Sequence, residues 1–170
     1  MPRAIPTPTY EEAMRFLEAH TLPTSGSGNK CLFHALEGEV SRDGRLADEQ
    51  GNAAALRMRA GALMRDGYAR HLSRGDDEEW NAHVRQLLRP RLRHLQRGAG
   101  QATVSACAAA MGRDIVRADV FCDAADPGTR GTIVFARFPH GSADMVEITM
   151  EEARQTLLGG AIAATHVTGS

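Results

Sequence analysis

The sequence predicts an α+β domain in which helices pack on a small mixed or antiparallel sheet. Helical patterns occupy most of the chain up to residue 111, whereas short β-branched and aromatic segments follow residue 113. Two Thr-x-x-Glu segments, beginning at Thr9 and Thr149, have the spacing of capping boxes and therefore mark helix starts. Helices thus precede strands, with one helix late in the chain.

Length and composition favour one soluble domain over residues 1–170, in which residues 1–24 form an N-terminal helix and a linker. The apolar fraction is 42% and the charged fraction is 24%, as in ordinary globular proteins. No apolar run is long enough to span a bilayer, and the N-terminus lacks the apolar core of a secretory signal. The formal net charge of −1 gives no reason to expect nucleic acid as a partner.

Each helix is placed by its apolar periodicity and its start and stop signals. Thr9 caps the first helix, Asp76 begins an acidic first turn, Pro90 breaks the pattern and Gly112 ends the alanine-rich helix. The predicted helices cover residues 10–20, 31–40, 53–72, 76–88 and 103–111. Residues 42–52 are predicted to be a polar loop.

The strands are short segments bounded by turn residues. They cover residues 114–121, 131–138, 145–149 and 161–167. A helix that begins after Thr149 and stops at Gly159 and Gly160 separates the last two strands.

The three cysteines, Cys31, Cys107 and Cys122, form no CxxC pair and have no zinc-type spacing. We therefore expect no structural metal, no disulfide framework and no cofactor. Cys107 lies inside an apolar helix and is expected in the core.

Cys31 stands between a glycine- and serine-rich loop and a helix. A helix N-terminus lowers the pKa of a thiol and makes it nucleophilic. The backbone N–H groups of Gly28, Asn29, Lys30 and Cys31 are candidates for holding an anion. The alternative is that Cys31 is a small core residue.

The segment GSGNKCLFHAL, residues 26–36, resembles the nucleophile motif of the ovarian-tumour (OTU) family of cysteine proteases. AALRMRAGALMRDGYARHL, residues 54–72, resembles the family's arginine-bearing helix, and ATVSACAAAMGRDIVRADVF, residues 102–121, resembles its helix-then-strand segment. The resemblance implies a papain-like fold with the nucleophile, Cys31, at a helix N-terminus. It also implies a deubiquitinase that hydrolyses isopeptide or peptide bonds after the C-terminal glycine of ubiquitin.

The expected partner is then ubiquitin, polyubiquitin or a ubiquitin-like protein, and the protease is expected to be a monomer. The expected compartment is the cytoplasm, or the host cytosol if the chain is a bacterial or viral effector.

Of the 20 basic residues only Lys30 is a lysine. A GC-rich genome would explain this, and so would a benefit from offering ubiquitin ligases few amines.

Two histidines are candidates for the partner of Cys31. The family places its histidine at the start of the last strand, which His166 matches, whereas His140 matches the usual cysteine-to-histidine separation. His34, one helical turn after Cys31, is expected on the surface or in a groove. The remaining histidines are expected to be solvated: His20, His71, His83 and His94.

A third residue would orient the imidazole. The candidates are Asn29, Asp144, Thr168 and Ser27, and a Cys–His dyad is the alternative. In the resulting mechanism the Cys31 thiolate attacks the ubiquitin carbonyl, and the histidine protonates the leaving amine and then activates water.

Three other interpretations stay open: a papain-like viral or toxin protease with another substrate, a degenerate module that only binds ubiquitin, and a domain with an inert cysteine.

The arginines of residues 85–97 are interpreted as a solvated helix face, with binding of RNA or an acidic partner as the alternative. No aromatic residue interleaves them, which disfavours base stacking.

Overall fold

The computed structural model of the chain describes residues 8–20, 30–97, 100–121 and 132–168. Six α-helices, a 3-10 turn (Arg70–Leu72) and six strands lie within these residues, so the chain is an α+β protein, as predicted. The helices are α1 (Tyr10–His20), α2 (Cys31–Glu37), α3 (Asn52–Arg65), α4 (Asp77–Leu87), α5 (Gln101–Met111) and α6 (Met150–Leu158). The strands are β1 (Glu39–Val40), β2 (Leu46–Ala47), β3 (Ile115–Phe121), β4 (Thr132–Phe138), β5 (Val146–Ile148) and β6 (Ile162–Thr168).

A four-stranded mixed sheet in the order β5-β4-β3-β6 forms the centre of the fold. β3 runs antiparallel to β4 and parallel to β6, and β4 runs antiparallel to β5. The parallel register pairs Ile115 with Ile162 and Asp119 with His166. Residues 47 positions apart in the sequence therefore become neighbours at the same level of the sheet.

Helices cover both faces of this sheet. On one face, Ile115, Phe138 and Ala164 join the core of α2, α3, α4 and α5. On the other face, Val116 and Phe135 pack with α1 and α6. Ile115 and Val116 lie on opposite faces of the sheet and are both buried, which explains why β3 begins with consecutive apolar residues.

The predicted helix over residues 31–40 is too long. α2 ends at Glu37, where Gly38 turns to extended backbone and its N–H donates to the His34 carbonyl. A Cβ at Gly38 would overlap that same carbonyl oxygen. β1, at the end of the predicted helix, then pairs with β2, which lies inside the predicted polar loop, so both predictions are wrong at these residues.

The predicted helix over residues 53–72 divides into two pieces. α3 ends at Arg65, and the chain turns through Gly67 at φ +92° and Ala69 at φ +62° before the 3-10 turn. Positive φ is incompatible with a continuing right-handed helix. None of the described helices combines the length and apolar character needed to cross a membrane.

Both predicted capping boxes begin helices. The Thr9 hydroxyl accepts a hydrogen bond from the Glu12 N–H at 3.1 Å. At α6 the bonds are reciprocal: Thr149 Oγ1 accepts from the Glu152 N–H at 3.2 Å, and the Glu152 carboxylate accepts from the Thr149 N–H at 3.5 Å. These bonds satisfy N–H groups that have no partner within the helix.

We expect Thr149→Ala to lower the free energy of unfolding by about 1 kcal/mol, because it removes this cap. Thr156→Ala on the same helix is the matched control. Thr156 Oγ1 donates to the Glu152 carbonyl at 2.7 Å, a bond that contributes little to helix stability. Urea unfolding of the three proteins measures both effects, and equal stability of the two variants would contradict the capping role.

Candidate active site

Cys31 is the first residue of α2 and is partly exposed. Lys30 occupies the N-cap position, and its side-chain ammonium donates to the Leu92 carbonyl at 3.2 Å. Gly28 and Asn29, predicted with Lys30 to bind an oxyanion, lie outside the described residues. Of that predicted loop, the structure therefore locates only Lys30.

His166 lies on β6, the strand against which α2 packs. Side chains alternate between the two faces of a strand. Ile162 and Ala164 belong to the core on the α2 face, and His166 continues their alternation. The imidazole is therefore on the same side of the sheet as the helix that begins with Cys31, and 56% of its side chain is exposed.

Asp119 is the residue next to His166. Its Oδ1 lies 3.6 Å from His166 Nδ1, and only 14% of its side chain is exposed. This distance exceeds that of a hydrogen bond. In enzymes without bound substrate, however, hydrogen bonds between catalytic residues are often long and shorten when substrate binds. The Arg117 guanidinium contacts the same carboxylate, with Nε 3.0 and 3.1 Å from its two oxygens and Nη2 2.9 Å from Oδ2.

Sequence reasoning missed Asp119. A signal was present, because Arg117 and Asp119 are charged residues at alternating positions of a strand whose neighbours are apolar. A buried charge requires a partner, and alternation places these two side chains on one face. What the sequence did not indicate was that His166 would lie beside them.

His140 lies elsewhere, in the turn after β4. Its Nδ1 is 2.6 Å from Asp114 Oδ1, and its backbone N–H donates to the same oxygen at 2.9 Å. Asp114 precedes β3, five positions before Asp119, a separation of about 16 Å along a strand. By alternation Asp114 shares the face of Val116, which packs with α1 and α6. His140 and His166 therefore lie at different ends and on different faces of the sheet.

Asp114 holds His140 in place through contacts with its backbone N–H and its ring. Burial alone would raise the pKa of Asp114, but the His140 backbone N–H, the Arg137 guanidinium and the His140 ring hold it below its ordinary value. Arg137 Nε and Nη2 donate to Asp114 Oδ2 at 2.8 and 2.6 Å. Asp114, Arg137 and His140 together border an open cavity of about 580 Å³ on the α6 side of the sheet.

The predicted candidates for a third catalytic residue lie in different parts of the chain, and two of them are not described by the structure. Asp144 is exposed in the connection from β4 to β5, and β5 is the sheet edge opposite β6. Asn29 and Ser27 lie outside the described residues. Thr168 is the last residue of β6 and pairs with Phe121. The carboxylate that the fold brings to His166 is that of Asp119.

Two histidines differ from their predicted surroundings. His34 is buried, with 5% of its surface exposed, so the predicted position on the surface or in a groove is wrong. Burial, and secondarily the charge of Lys30, lower its pKa. His83 is half-buried rather than solvated, and its Nε2 lies 3.1 Å from Thr103 Oγ1. His71 and His94 are exposed, as predicted, and the side chain of His20 lies outside the description.

Comparison with models of known protein families finds none that matches this chain, and a search of curated proteins finds no similar sequence. The proposal below therefore rests on this geometry for the chemistry, and on the resemblance of residues 26–36 to the OTU nucleophile motif for the substrate. Cys107 is fully buried in α5, and burial raises the pKa of its thiol, so it is unsuited to nucleophilic chemistry. No group of three or more potential metal ligands occurs among the described residues, and Cys122 lies outside them.

His83 also borders a cavity of about 300 Å³ between α4 and α5. Burial, and secondarily the charge of Arg97, lower its pKa from the ordinary 6.5. The unfolded chain therefore binds this proton more readily than the folded protein. The resulting stability is fully present above pH 6.5 and is lost as the pH falls below it. His34, whose pKa is also lowered, contributes with the same sign.

We expect the free energy of unfolding to decrease between about pH 7 and about pH 5, and to decrease less steeply in His83→Gln. Urea unfolding at both pH values measures the two slopes. His71→Gln is the control, since His71 is exposed and its variant should keep the parent slope. An unchanged slope in His83→Gln would show that folding does not disfavour protonation of this histidine.

Proposed function

We propose that the chain is a cysteine protease that hydrolyses isopeptide or peptide bonds after the C-terminal glycine of ubiquitin. The observation that carries the proposal is the His166–Asp119 pair on the sheet face against which α2 packs. α2 begins with Cys31, the partly exposed thiol. A thiol, an imidazole and a carboxylate that can orient it are the groups that nucleophilic cysteine catalysis requires.

Each group has a defined task in the proposed reaction. His166 takes the Cys31 proton, and the thiolate attacks the carbonyl carbon of the ubiquitin glycine. Backbone N–H groups of residues 28–31 hold the oxyanion. The imidazolium protonates the departing amine, which leaves a thioester on Cys31. His166 then removes a proton from water, which attacks the thioester and releases the carboxylate and the thiol.

Asp119 is proposed as a positioning residue. Its carboxylate favours the tautomer in which His166 Nδ1 carries the proton and Nε2 faces the thiol, and it stabilises the imidazolium that forms. Arg117 fixes the carboxylate through bonds to both oxygens. The proposed fold is the papain-like arrangement of the OTU family, and the proposed compartment is the cytosol, that of a host if the chain is an effector.

The experiment that tests the function is covalent labelling by ubiquitin that carries a C-terminal thiol-reactive group. We expect an adduct with the parent protein, none with Cys31→Ala, and an undiminished adduct with Cys107→Ala. Iodoacetamide labelling is run in parallel. Reaction of Cys31 with iodoacetamide but not with the ubiquitin probe would indicate a protease of another specificity. A folded protein unreactive toward both would contradict cysteine catalysis, and ubiquitin binding without an adduct would indicate a binding module.

We expect Asp119→Asn to lower kcat/KM by about 10- to 1,000-fold, because the amide cannot stabilise the imidazolium. Asp119→Glu should recover part of the rate, because it restores a carboxylate at this position. Urea unfolding of both variants separates this role from a structural one. A loss of rate that follows the loss of folding stability, with no recovery in Asp119→Glu, would assign Asp119 to structure alone.

A further inference from the structure

The segment after α4 forms a closed loop rather than the predicted helix face. α4 ends at Leu87, and residues 88–96, here called the arginine loop, contain only turns and bends. The ends of the loop are joined because Gln86 Oε1 accepts a hydrogen bond from the Gln96 N–H at 2.9 Å. Leu95 is 1% exposed and belongs to the main core. The loop is therefore anchored at its base and at its end.

A third anchor ties the loop to the candidate active site. The Lys30 ammonium donates to the Leu92 carbonyl at 3.2 Å, and Lys30 is the residue before Cys31. One lysine side chain and one hydrogen bond thus separate the middle of the arginine loop from the start of α2. Leu92 also packs against the core that contains Phe33 of α2.

The charges of this loop are not compensated within the described part of the chain. Arg89, Arg91 and Arg93 are exposed at alternating positions, and none of them forms an ion pair with a described carboxylate. Arginines elsewhere on the surface do form such pairs: Arg97 with Glu79, Arg70 with Asp77 and Arg137 with Asp114. Exposed arginines without a described ion pair also occur elsewhere, at Arg42, Arg45 and Arg74, but this loop places three of them within five residues.

The loop is also concave. Its residues 89–94 line an open depression of about 720 Å³. A concave surface with charges of one sign concentrates the electrostatic field and attracts oppositely charged ligands. Guanidinium groups bind carboxylates with two parallel hydrogen bonds, which gives geometric selectivity as well as attraction.

We propose that the arginine loop, together with Lys30, is a docking surface for an acidic segment of the polypeptide substrate beside the bond to be cleaved. This inference rests on the proposed function for its assignment to a substrate. A polypeptide is favoured over nucleic acid because the loop contains no Phe, Tyr or Trp on which bases could stack.

The binding test uses Cys31→Ala protein, so that no covalent step contributes. The probe is a fluorescent decapeptide rich in Glu and Asp, followed by anisotropy. In this background we compare the parent loop with the triple variant Arg89→Gln, Arg91→Gln, Arg93→Gln. The matched control is Arg42→Gln, Arg45→Gln, Arg65→Gln, which removes the same charge from exposed positions elsewhere.

We expect the loop variant to bind the peptide about tenfold more weakly, and the control variant to stay within about twofold of the parent. Raising the salt from about 20 mM to about 200 mM should weaken parent binding several-fold and affect the loop variant little. Equal binding by the loop variant and the control would overturn the proposal. Tighter binding of a single-stranded oligonucleotide of equal charge would overturn it in favour of nucleic acid.

Failure of the docking surface and failure of the proposed function give different results. If the ubiquitin probe labels Cys31 but the loop variant binds the acidic peptide like the control, the docking surface is wrong and the protease stands. If binding of the peptide depends on the loop but no ubiquitin adduct forms, the docking surface for acidic polypeptides stands and its assignment to a ubiquitin substrate is wrong. Circular dichroism of both triple variants confirms that each comparison uses folded protein.

Discussion

Replacing His166 by glutamine is expected to reduce the rate of ubiquitin-bond hydrolysis by about a thousandfold or more. The amide of glutamine keeps hydrogen-bonding capacity at this position but cannot accept and return a proton near neutral pH. Without this base, the proton of the Cys31 thiol has no acceptor and the leaving amine has no donor. The measurement is kcat/KM on a fluorogenic ubiquitin substrate, together with the rate of adduct formation by the ubiquitin probe.

His140→Gln is the matched control for this prediction. His140 has its own carboxylate, Asp114, and lies on the other face of the sheet, beside α6. Its replacement should leave kcat/KM within about twofold of the parent value. If His140→Gln abolished hydrolysis while His166→Gln preserved it, the assignment of the His166–Asp119 pair would be wrong.

Replacing Phe33 by alanine is expected to lower the free energy of unfolding by about 3–5 kcal/mol. Phe33 is 1% exposed and joins α2 to the main core. The variant loses the transfer free energy of the ring and leaves a cavity that the surrounding side chains fill only in part. For a chain of 170 residues, the midpoint of thermal unfolding should fall by about 6–20 °C.

Thermal and urea unfolding measure this effect, with Val40→Ala as the control. Val40 is 60% exposed, so its truncation should change stability by no more than about 0.5 kcal/mol. Phe33→Leu should show an intermediate loss, because leucine fills part of the space. Equal stability of the Phe33→Ala and Val40→Ala proteins would contradict the position of α2 on the core.

The positions of most helices and strands are local properties, and the sequence indicated them well. The capping boxes at Thr9 and Thr149 identified two helix starts, because the bonds involved join residues only three positions apart. The segments around β3, β4 and β6 were recognisable from their β-branched and aromatic residues. Cys31 was placed at a helix start by the change from a glycine- and serine-rich loop to apolar periodicity.

Predictions failed where one local pattern has two possible outcomes. The apolar positions of residues 31–40 fit a helix, but Gly38 ends α2 and the next two residues form a strand. Only the pairing partner at Leu46–Ala47 decides between these outcomes. Similarly, the arginines after α4 suit a solvated helix face, and the anchors at Gln86 and Lys30 make them part of a closed loop instead.

The sequence by itself determined the α+β class, the start of α2 at Cys31 and a final strand that carries His166. Only the tertiary structure decided that Asp119, and not Asp144, is the carboxylate described beside that histidine. The reason is that strand register depends on side chains packing across the whole sheet, whereas capping and periodicity act within a few residues. The parallel pairing of β3 with β6 brings together two residues 47 positions apart, and no pattern within either segment encodes that contact.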